Sequence, residues 1–505
     1  MQLFASAGFI AIVILWGLFS PASLDRFFST LLEHITHNFG WLYLWLVLGL
    51  VGLAFFLAFS RFGNLKLGGE DDEPEFSTGA WFSMLFAAGM GIGLVFWGVG
   101  EPISHFGNPP PGVTPGTPEA AATAMRYAFF HWGLHPWAIY GVVGLAISFF
   151  TFRRNAPPLV SSATEALPWR FVARLSPMFN VMAVVATAFG VAASLGMGAT
   201  QINSGLAAAF HVPVTPWVQA TIIVVTTVLF LTSAVSGVER GVKWLSSGNL
   251  VLAGLLTLFV FVFGPTVAII ETLTSALGSY ASEFLRMSLR MTPFRTNNWI
   301  SSWTLFYWAW WLAWSPFVGL FIARVSRGRT IRQFILGTVV APTLVGFVWF
   351  AVFGGTALNM EIFQNVPLAE AVKTNVSSAM YVMLDALPIS GVTSVVATLL
   401  VFCFFVTSGD SATLVLGTMS TGGNANPSAR VKIIWGVLVA AIALSLLLAG
   451  GLQAIQTATI VFALPFAFVL LLMAVSVTIA IRHDWNEEQQ RDRELRRKVR
   501  ALIKT

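Results

Sequence analysis

The chain has 505 residues and a formal net charge of +6, with 56 % hydrophobic residues and only 10 % charged ones. Because soluble proteins carry about 25 % charged residues, so few charges could not cover the surface of a soluble fold of this size. The single cysteine, Cys403, excludes an internal disulfide and a cage of thiolate metal ligands. Since a helix needs about 20 apolar residues to cross about 30 Å of hydrocarbon, the long apolar runs predict an all-α polytopic membrane protein.

Apolar runs along the chain predict twelve transmembrane helices. The first run has no basic residues before it and no small-residue cleavage site, so we interpret it as a retained helix rather than a signal peptide. The predicted spans cover residues 3–20, 41–60, 78–100, 122–150, 178–208, 217–236, 243–272, 298–322, 334–357, 391–418, 431–450 and 453–481. Two more polar segments, about 275–295 and 367–386, are periodic enough to form interfacial helices.

Basic residues accumulate on the cytoplasmic side of membrane proteins and therefore indicate orientation. With the amino terminus inside, 22 of the 28 Lys and Arg residues fall in cytoplasmic segments and five in outer segments. This distribution predicts a multi-pass protein whose two termini both face the cytoplasm. It also explains the sequence pI of about 9.7 without nucleic-acid binding, so we expect no nucleic-acid partner.

Alternating glycines weaken the third predicted span, whose sequence over 87–102 is AAGMGIGLVFWGVGEP. Gly89, Gly91 and Gly93 each cost about 1 kcal/mol of helix propensity relative to alanine, so we expect the helix to unwind there. An unwound backbone survives inside a membrane only where it lines a cavity, and such breaks bind substrates and ions in secondary transporters. Close helix packing through small residues is the alternative. We expect Glu101, just past the glycines, to cap a helix end or to pair near the extracellular face.

The fourth predicted span carries aromatic residues around a proline, in the sequence HWGLHPWAIY. Pro136 interrupts the backbone hydrogen bonds and can turn the nearby rings inward. These rings belong to Trp132, Trp137 and Tyr140. His131 and His135 have the spacing of zinc ligands on a helix, but the sequence offers no third ligand nearby. We therefore expect both to be packing histidines, with a helical proton relay as the alternative.

Five of the 19 tryptophans fall between residues 303 and 314, in the eighth predicted span. At about 100° per residue, one helix face and its flank carry Trp303, Tyr307, Trp310, Trp311, Trp314 and Phe321. Tryptophan usually forms belts at the membrane interfaces, but Trp310, Trp311 and Trp314 lie near the middle of this span. A stack of indole faces suits a cation that cannot donate hydrogen bonds, such as a quaternary ammonium group. Ordinary aromatic packing is the alternative.

The tenth predicted span places polar side chains in apolar sequence, at Thr407, Ser408 and Asp410. Hard oxygen ligands suit sodium, by extension from the preference of other hard cations. A carboxylate inside a membrane span is by itself a candidate functional group. The alternative for the two hydroxyls is that they bond back onto their own helix.

The final segment, 482–505, changes to a charged tail with opposite charges three or four residues apart, the pattern of a solvated helix. We interpret it as a topogenic and solubilising end, with a sensor that docks on anionic lipid as the alternative. An acidic cluster in the loop before the third span could pair with it and consists of Glu70, Asp71, Asp72, Glu73 and Glu75.

Together these segments resemble the betaine/carnitine/choline transporter family, over residues from about 40 to 481. The similarity is strongest in AAGMGIGLVFWGVGEP, FHWGLHPWAIY, FYWAWWLAWSPFVGLFIARVSRGRTIRQFI and FVTSGDSATLVLGTMS. It implies a homotrimer of twelve-helix protomers with two inverted five-helix repeats, a leucine-transporter-like fold. The implied organisation is two N-terminal helices and the acidic loop (1–77), a first repeat (78–273), an amphipathic interfacial helix (274–297), a second repeat (298–481) and the tail (482–505).

The resemblance also implies which residues form the transport site. Substrate would contact an aromatic box and the backbone of the glycine run, at Ala88, Met90, Trp132, Trp137, Tyr140, Trp310, Trp311 and Trp314. A sodium ion would bind at Ala87, Met90, Phe404, Thr407 and Ser408. Part of a second sodium site would lie at Thr187 and Phe317. Val191 stands where a second hydroxyl is expected, so the chain departs there from the pattern of sodium–betaine members.

The activity that the resemblance implies is sodium-coupled uptake of glycine betaine for osmoprotection, across the bacterial cytoplasmic membrane. Choline-carrying members tend to have aspartate at the position of Gly93, so glycine favours a zwitterion that brings its own carboxylate. The intact GMGIG and the hydroxyl pair distinguish the chain from sodium-independent carnitine exchangers. The alternatives are proton coupling, or another solute such as ectoine, proline, carnitine or choline. We expect no cofactor besides the coupling ion.

A membrane-embedded enzyme would need a convergent nucleophile, base and acid, or a metal cluster, facing one cavity. The sequence shows neither of these sets. A channel would show conductance far above the turnover of a carrier. We therefore expect a carrier and not an enzyme.

Overall fold

The computed structural model describes residues 2–89, 91–236, 239–294 and 298–503, without the side chains of 86–89, 239–244, 452 and 455. These residues form helices and connecting loops, with one isolated β-bridge between Lys66 and Thr330. The helices are α1 (Gln2–Phe19), α2 (Pro21–Phe59), α3 (Thr78–Gly89), α4 (Ile92–Gly107), α5 (Pro118–Trp132), α6 (Leu134–Ser148), α7 (Arg170–Phe210), α8 (Pro216–Ser236), α9 (Glu239–Phe263), α10 (Thr266–Ser288), α11 (Phe306–Arg324), α12 (Ile331–Ile335), α13 (Ala341–Phe363), α14 (Leu368–Thr374), α15 (Ala379–Asp385), α16 (Ser390–Ser420) and α17 (Ala429–Ile503). Single π-helical turns at Phe149–Arg153, Ser301–Leu305 and Leu336–Val340 extend α6, α11 and α13.

Among the described residues, eleven helical stretches are long and apolar enough to cross a membrane. They correspond to every predicted span except the third. There the chain forms α3 and α4, of 12 and 16 residues, and each is shorter than the roughly 20 residues that a single crossing requires. The all-α polytopic fold is therefore confirmed, while the layout of twelve spans in two inverted repeats stays a prediction.

Two helices begin before the apolar runs that predicted them. α2 begins at Pro21, a residue favoured in the first helical turn, and its 39 residues include a polar stretch ahead of the predicted span at 41–60. α7 begins at Arg170 and continues through Pro177. Hydropathy marks the part of a helix that hydrocarbon can cover, and polar turns beyond it carry no such signal.

The predicted interfacial helix is part of a longer one. α9 ends at Phe263, and Pro265, which has no N–H to donate, precedes α10 at Thr266. α10 then runs for 23 residues to Ser288. Residues 274–288 of the predicted segment are thus the later part of a helix that begins inside the predicted seventh span, because the proline, rather than a change in polarity, sets the boundary.

α17 contains the last two predicted spans and the tail in one helical stretch that is bent at two glycines. Gly450 and Gly451 have non-helical backbone angles (φ −163° and +64°), and adjacent glycines are a common cause of such bends. Beyond the bend the helix continues without a break to Ile503, and its residues after 490 are exposed. The tail is therefore helical, as its charge spacing predicts, and is continuous with the final span.

Ion pairs gather several connecting segments at one face of the molecule. Arg153, after α6, donates to Asp484 at 2.9 Å and to Glu488, both on α17. Arg491 of the tail lies 3.5 Å from Glu70 of the acidic loop, so the predicted pairing of these two segments is present at this contact. All of these segments are among those that the basic-residue count assigns to the cytoplasm. Their common face agrees with that assignment, although the orientation itself stays a prediction.

α11 lies inside the bundle, in contact with α6, α7, α16 and α17. Tyr307, Trp308 and Trp310 are among the largest fully buried side chains of the protein. The aromatic residues in the middle of the eighth predicted span therefore face protein and not lipid, which excludes an interfacial belt at these positions.

Candidate functional site

The chain leaves its helical path between α3 and α4, within the glycine run. α3 ends at Gly89, and Gly91, which precedes α4, has extended backbone angles (φ −130°, ψ −168°). The N–H groups of Ile92 and Gly93 have no acceptor within the helix, because the first turn of any helix lacks one. Leu94 N donates to Gly91 O at 3.1 Å. The positive end of α4 therefore begins at a break in the chain, which is the arrangement that the glycine run predicts.

Gly93 lies in the first turn of α4 and not in the break itself. A Cβ atom at this position would lie 2.6 Å from Cη2 of Trp310 and 3.1 Å from Cη2 of Trp132. These distances are shorter than ordinary contacts, so one or both rings would have to move. Gly93 provides space for two indoles, which is a packing requirement rather than the unwinding expected from the sequence.

A cavity of about 120 Å³ lies beside the break. Its wall is formed by the start of α4 and by side chains of α5, α6, α7, α9, α11 and α16. The predicted site residues that line it are Gly91, Gly93, Trp132, Tyr140, Trp310, Trp311, Trp314, Phe317, Thr407 and Ser408. Residues far apart in the sequence thus meet around one space.

The aromatic wall of the cavity combines stacked and edge-on rings. Trp310 and Trp311 stack with ring centroids 4.7 Å apart and planes 14° apart. Trp132 stands edge-on to Trp310 at 6.1 Å and to Trp311 at 4.8 Å, and Tyr140 stands edge-on to Trp311 at 6.1 Å. Aromatic faces carry negative potential, so a cavity with such walls is suited to a cation without hydrogen-bond donors.

Hydrogen bonds hold two of these indoles in place. Trp311 Nε1 donates to the backbone oxygen of His131 at 3.0 Å, and Trp314 Nε1 donates to that of Gly190 at 2.8 Å. Both rings are thereby tied to neighbouring helices. Trp137, predicted to contact substrate, is not among the residues that line the cavity, and its ring packs edge-on against Tyr140 at 5.6 Å.

Two hydroxyl side chains of α16 reach the same cavity. Thr407 and Ser408 both line it, and Thr407 Oγ1 donates to the backbone oxygen of Cys403 at 2.9 Å. The bond back onto the helix, expected as the alternative to an ion ligand, is therefore present. It uses the proton of the hydroxyl and leaves oxygen lone pairs for a cation. Phe404 is buried one turn earlier and does not line the cavity.

The remaining predicted ion ligands are only partly described. Thr187 is fully buried, and its Oγ1 has no hydrogen-bond partner within the described part of the chain, which is uncommon for a buried hydroxyl. Phe317 lines the cavity. Met90 lies outside the described residues, as do the side chains of Ala87 and Ala88, so the contacts expected of these three residues stay predictions.

Glu101 is the centre of a buried hydrogen-bond cluster behind the cavity. Its Oε1 lies 2.6 Å from His131 Nδ1 and 3.1 Å from His105 Nε2. Its Oε2 accepts from Trp132 Nε1 at 2.8 Å and from the Tyr307 hydroxyl at 2.5 Å. The carboxylate is fully buried and does not cap a helix end; the expected pairing is present, with His105 and His131. It joins α4, α5 and the aromatic helix α11.

The two histidines of the fourth predicted span have different partners. His135 Nε2 lies 2.8 Å from Ser288 Oγ, and its ring stacks on Trp308 at 5.1 Å, as a packing histidine would. His131 instead meets Glu101 and His105, and the ligand atoms of these three side chains lie within 4.8 Å of one another. The sequence signal for this cluster is the four-residue spacing of Glu101 and His105, which places them on one helix face.

Comparison with known proteins identifies the family. The family model described as BCCT, betaine/carnitine/choline family transporter, matches residues 2–486. The chain belongs to this family. It is 48 % identical over 470 residues to the glycine betaine transporter OpuD of Bacillus subtilis, covering 92 % of this chain and 91 % of that protein. It is 44 % identical over 478 residues to the ectoine/hydroxyectoine transporter of Virgibacillus pantothenticus, covering 94 % and 95 %.

A third relative, a probable glycine betaine transporter of Desulfitobacterium hafniense, is 40 % identical over 486 residues, covering 95 % of this chain and 97 % of that protein. The family and these relatives are transporters, so the chain is an integral membrane transporter and not an enzyme. The resemblance seen in the glycine, tryptophan and hydroxyl segments is thereby confirmed.

Proposed function

We propose that this transporter imports glycine betaine by sodium-coupled symport across the bacterial cytoplasmic membrane, to protect the cell against osmotic stress. The observation that carries the proposal is the aromatic cavity at the start of α4, where opposite charges of one small zwitterion could be bound at once. Two of the relatives described above, both bacterial, are named for glycine betaine.

The trimethylammonium group is proposed to occupy the aromatic part of the cavity. This group carries a positive charge but has no hydrogen to donate, so polar side chains offer it little. Indole faces attract it, by about 2 kcal/mol or more once water is removed. Trp132, Trp310, Trp311 and Tyr140 form the walls available for this contact.

The carboxylate is proposed to lie against the amino end of α4. Free N–H groups and the helix dipole make a helix start favourable for an anion. The residues Gly91–Leu94 line the cavity, so this helix start and the aromatic rings face the same space. Gly93 contributes no side-chain charge there, which favours a zwitterion with its own carboxylate over choline.

Sodium is proposed to bind between the end of α3 and α16. The carboxyl end of a helix presents carbonyl oxygens and a negative dipole, and α3 ends at Gly89. The hydroxyls of Thr407 and Ser408 add hard oxygen ligands from the cavity wall. The proposed site is completed by Ala87, Met90 and Phe404.

A second sodium ion is proposed at Thr187 and Phe317. The Thr187 hydroxyl is buried without a partner among the described residues, so its oxygen is available as a ligand. Val191, one turn further along α7, supplies no oxygen side chain. A stoichiometry of one or two sodium ions is read from the steepness of the sodium dependence of uptake.

The proposed assembly is a homotrimer with both termini in the cytoplasm, and its exposed, Arg-rich tail helix would contact anionic lipid. The tail is accessible for this contact, since its residues after 490 are exposed. The negative surface charge of the cytoplasmic leaflet attracts basic segments, by about 1 kcal/mol for each Lys or Arg near the surface. Light scattering of the purified protein measures the number of protomers directly.

The alternatives concern the solute and the ion. The ectoine/hydroxyectoine transporter is nearly as similar to the chain as the glycine betaine transporter is, so ectoine is the second candidate solute. Proton coupling is the alternative to sodium coupling. Proline, carnitine and choline complete the set of solutes to be compared.

The test is uptake of radiolabelled glycine betaine into proteoliposomes containing the purified full chain. We expect an inward sodium gradient at fixed pH to drive accumulation, compared with potassium in place of sodium. Equal uptake in both would reject sodium coupling, and accumulation driven only by a pH gradient would establish proton coupling instead. Competition by each unlabelled solute then ranks the substrates, and stronger competition by ectoine than by betaine would reject betaine as the main substrate.

A further inference from the structure

The Glu101 cluster places a carboxylate directly behind a wall of the aromatic cavity. We propose that Glu101 is an ionised counter-charge for the ammonium group of the substrate and acts on it through the indole of Trp132. The inference rests on the proposed function, because it requires a cationic group in the aromatic cavity. Glu101 does not line the cavity, so it is a positioning and specificity-determining residue.

The ionised state of Glu101 follows from its neighbours, all of which can donate. The indole N–H of Trp132 can only donate, and the hydroxyl of Tyr307 lies at 2.5 Å, a distance typical of a hydroxyl bound to a carboxylate anion. His131 lies at 2.6 Å, and we assign its proton to Nδ1, since Nε2 can then accept from Thr304 Oγ1 at 3.0 Å. A protonated Glu101 would have to donate to His105 Nε2, and the histidine proton would then lie on Nδ1, where it has no acceptor among the described residues.

Among the residues that the structure describes, no Lys or Arg forms an ion pair with this carboxylate. Within the described part of the chain, the only basic groups paired with Glu101 are His105 and His131. The phenols of Tyr307 on α11 and Tyr127 on α5 are the other titratable groups at the cluster. Arg290 donates to the Tyr127 hydroxyl at 2.9 Å and forms no ion pair with Glu101. When neither histidine carries a second ring proton, the cluster has one negative charge.

Trp132 connects this charge to the cavity. Its ring forms part of the cavity wall while its Nε1 donates to Glu101 Oε2. A hydrogen bond to an anion polarises the donor, so electron density on the indole face increases, and the carboxylate itself attracts a cation on the far side of the ring. Trp310, in the same wall, has an Nε1 without a partner among the described residues. The two indoles therefore line one cavity, but only the N–H of Trp132 donates to a carboxylate.

A counter-charge, unlike a packing role, should make the protein prefer a positively charged ligand over a neutral ligand of the same shape. The compound 3,3-dimethylbutanoate has the shape and carboxylate of glycine betaine but carries a neutral carbon in place of the quaternary nitrogen. A role of Glu101 in packing alone would affect the affinity of both compounds equally. A counter-charge affects glycine betaine and leaves the neutral analogue nearly unchanged.

The experiment measures equilibrium binding of both compounds to the purified full chain. In Glu101→Gln we expect the preference for betaine over the analogue to fall roughly tenfold, with Glu101→Asp retaining most of it. Glu361→Gln is the matched control, because Glu361 Oε2 accepts a hydrogen bond from Ala369 N at 2.9 Å and Glu361 does not line the cavity. An unchanged preference in Glu101→Gln, or an equal loss for both compounds, would overturn the inference.

A second pair of variants serves if Glu101→Gln fails to fold. Trp132→Phe removes the N–H that contacts Glu101, whereas Trp310→Phe makes the same change at an indole with an unpartnered N–H. We expect the preference for betaine to fall further in Trp132→Phe, and equal reductions would contradict the inference. The wild-type titration keeps the two proposals distinguishable: absence of betaine binding there rejects the proposed function, while intact binding with an unchanged preference rejects only the role of Glu101.

Discussion

Gly93 shows how one residue without a side chain shapes the binding cavity. Any Cβ atom at this position would meet Trp310 at 2.6 Å and Trp132 at 3.1 Å. The two indoles can therefore approach the start of α4 only because residue 93 is glycine. This close approach places the rings proposed to bind the ammonium group beside the helix start proposed to bind the carboxylate.

Gly93→Ala should weaken glycine betaine binding by roughly tenfold or more, since overpacking of this kind costs about 1–3 kcal/mol and displaces the rings. The measurement is the KM for betaine uptake. Gly107→Ala is the matched control, because Gly107 lies at the end of the same helix and a Cβ atom there would meet nothing within 4 Å. A normal KM in Gly93→Ala would show that the rings tolerate displacement and that their geometry does not set affinity.

The hydroxyl pair on α16 gives a second prediction at this scale. Replacing Thr407 and Ser408 together by alanine should raise the sodium concentration needed for half-maximal betaine uptake about tenfold, because two hard oxygen ligands are lost. Thr413→Ala is the control, since Thr413 makes a comparable bond to the Asp410 backbone oxygen at 2.8 Å and does not line the cavity. A sodium titration identical to that of the wild type would remove the pair from the ion site.

At the scale of elements, the break between α3 and α4 is the feature that the sequence predicted most directly. Three alternating glycines lower helix propensity locally, and this property does not depend on distant residues. The same reasoning misplaced Gly93, because the need for space beside Trp310 arises only once α4 and α11 are packed together. The tryptophans on α11 were likewise recognisable from their position in mid-span.

The Glu101 cluster could not be predicted to the same extent. Its partners lie on three helices, and a single sequence shows only the spacing of Glu101 and His105 on one of them. The expectation that His131 has no third ligand nearby failed for the same reason: helix packing brings Glu101 and His105 to it. Trp137 was assigned to the substrate site by resemblance; in the structure it packs against Tyr140 and is not among the residues that line the cavity.

The extension of α17 beyond the membrane gives a prediction about stability. Asp484 bonds both Arg153 and Arg154 while its side chain is nearly buried. Asp484→Asn should lower the free energy of unfolding by about 1–2 kcal/mol, because the partly buried Arg153 and the more exposed Arg154 both lose this partner, while Arg153 keeps Glu488. Thermal denaturation in detergent measures this loss. Asp492→Asn, an exposed site on the same helix, is the control, and equal stability of both variants would show that the tail is not anchored by this pair.

For the whole molecule, the aromatic residues around the cavity are enclosed by protein. Trp132, Trp310 and Trp311 are buried and line the cavity, while other helices carry large apolar residues on their exposed surfaces. Composition was sufficient to predict a membrane protein, and local motifs were sufficient to recognise a transporter family. The relation of the two proposed repeats depends on how distant helices of the chain pack, and the trimer and the coupling ion depend on contacts with other protomers and with ions.

The central claim is that the aromatic cavity binds a quaternary-ammonium zwitterion, and equilibrium binding of radiolabelled glycine betaine tests it most directly. The comparison is between the wild type, Trp311→Leu and Trp435→Leu, since both tryptophans are buried and each makes one N–H bond, but only Trp311 lines the cavity. We expect saturable binding to the wild type and to Trp435→Leu, and affinity reduced tenfold or more in Trp311→Leu, as loss of about 2 kcal/mol of cation–π attraction requires. Equal affinity in all three proteins, or no binding to the wild type, would contradict the account.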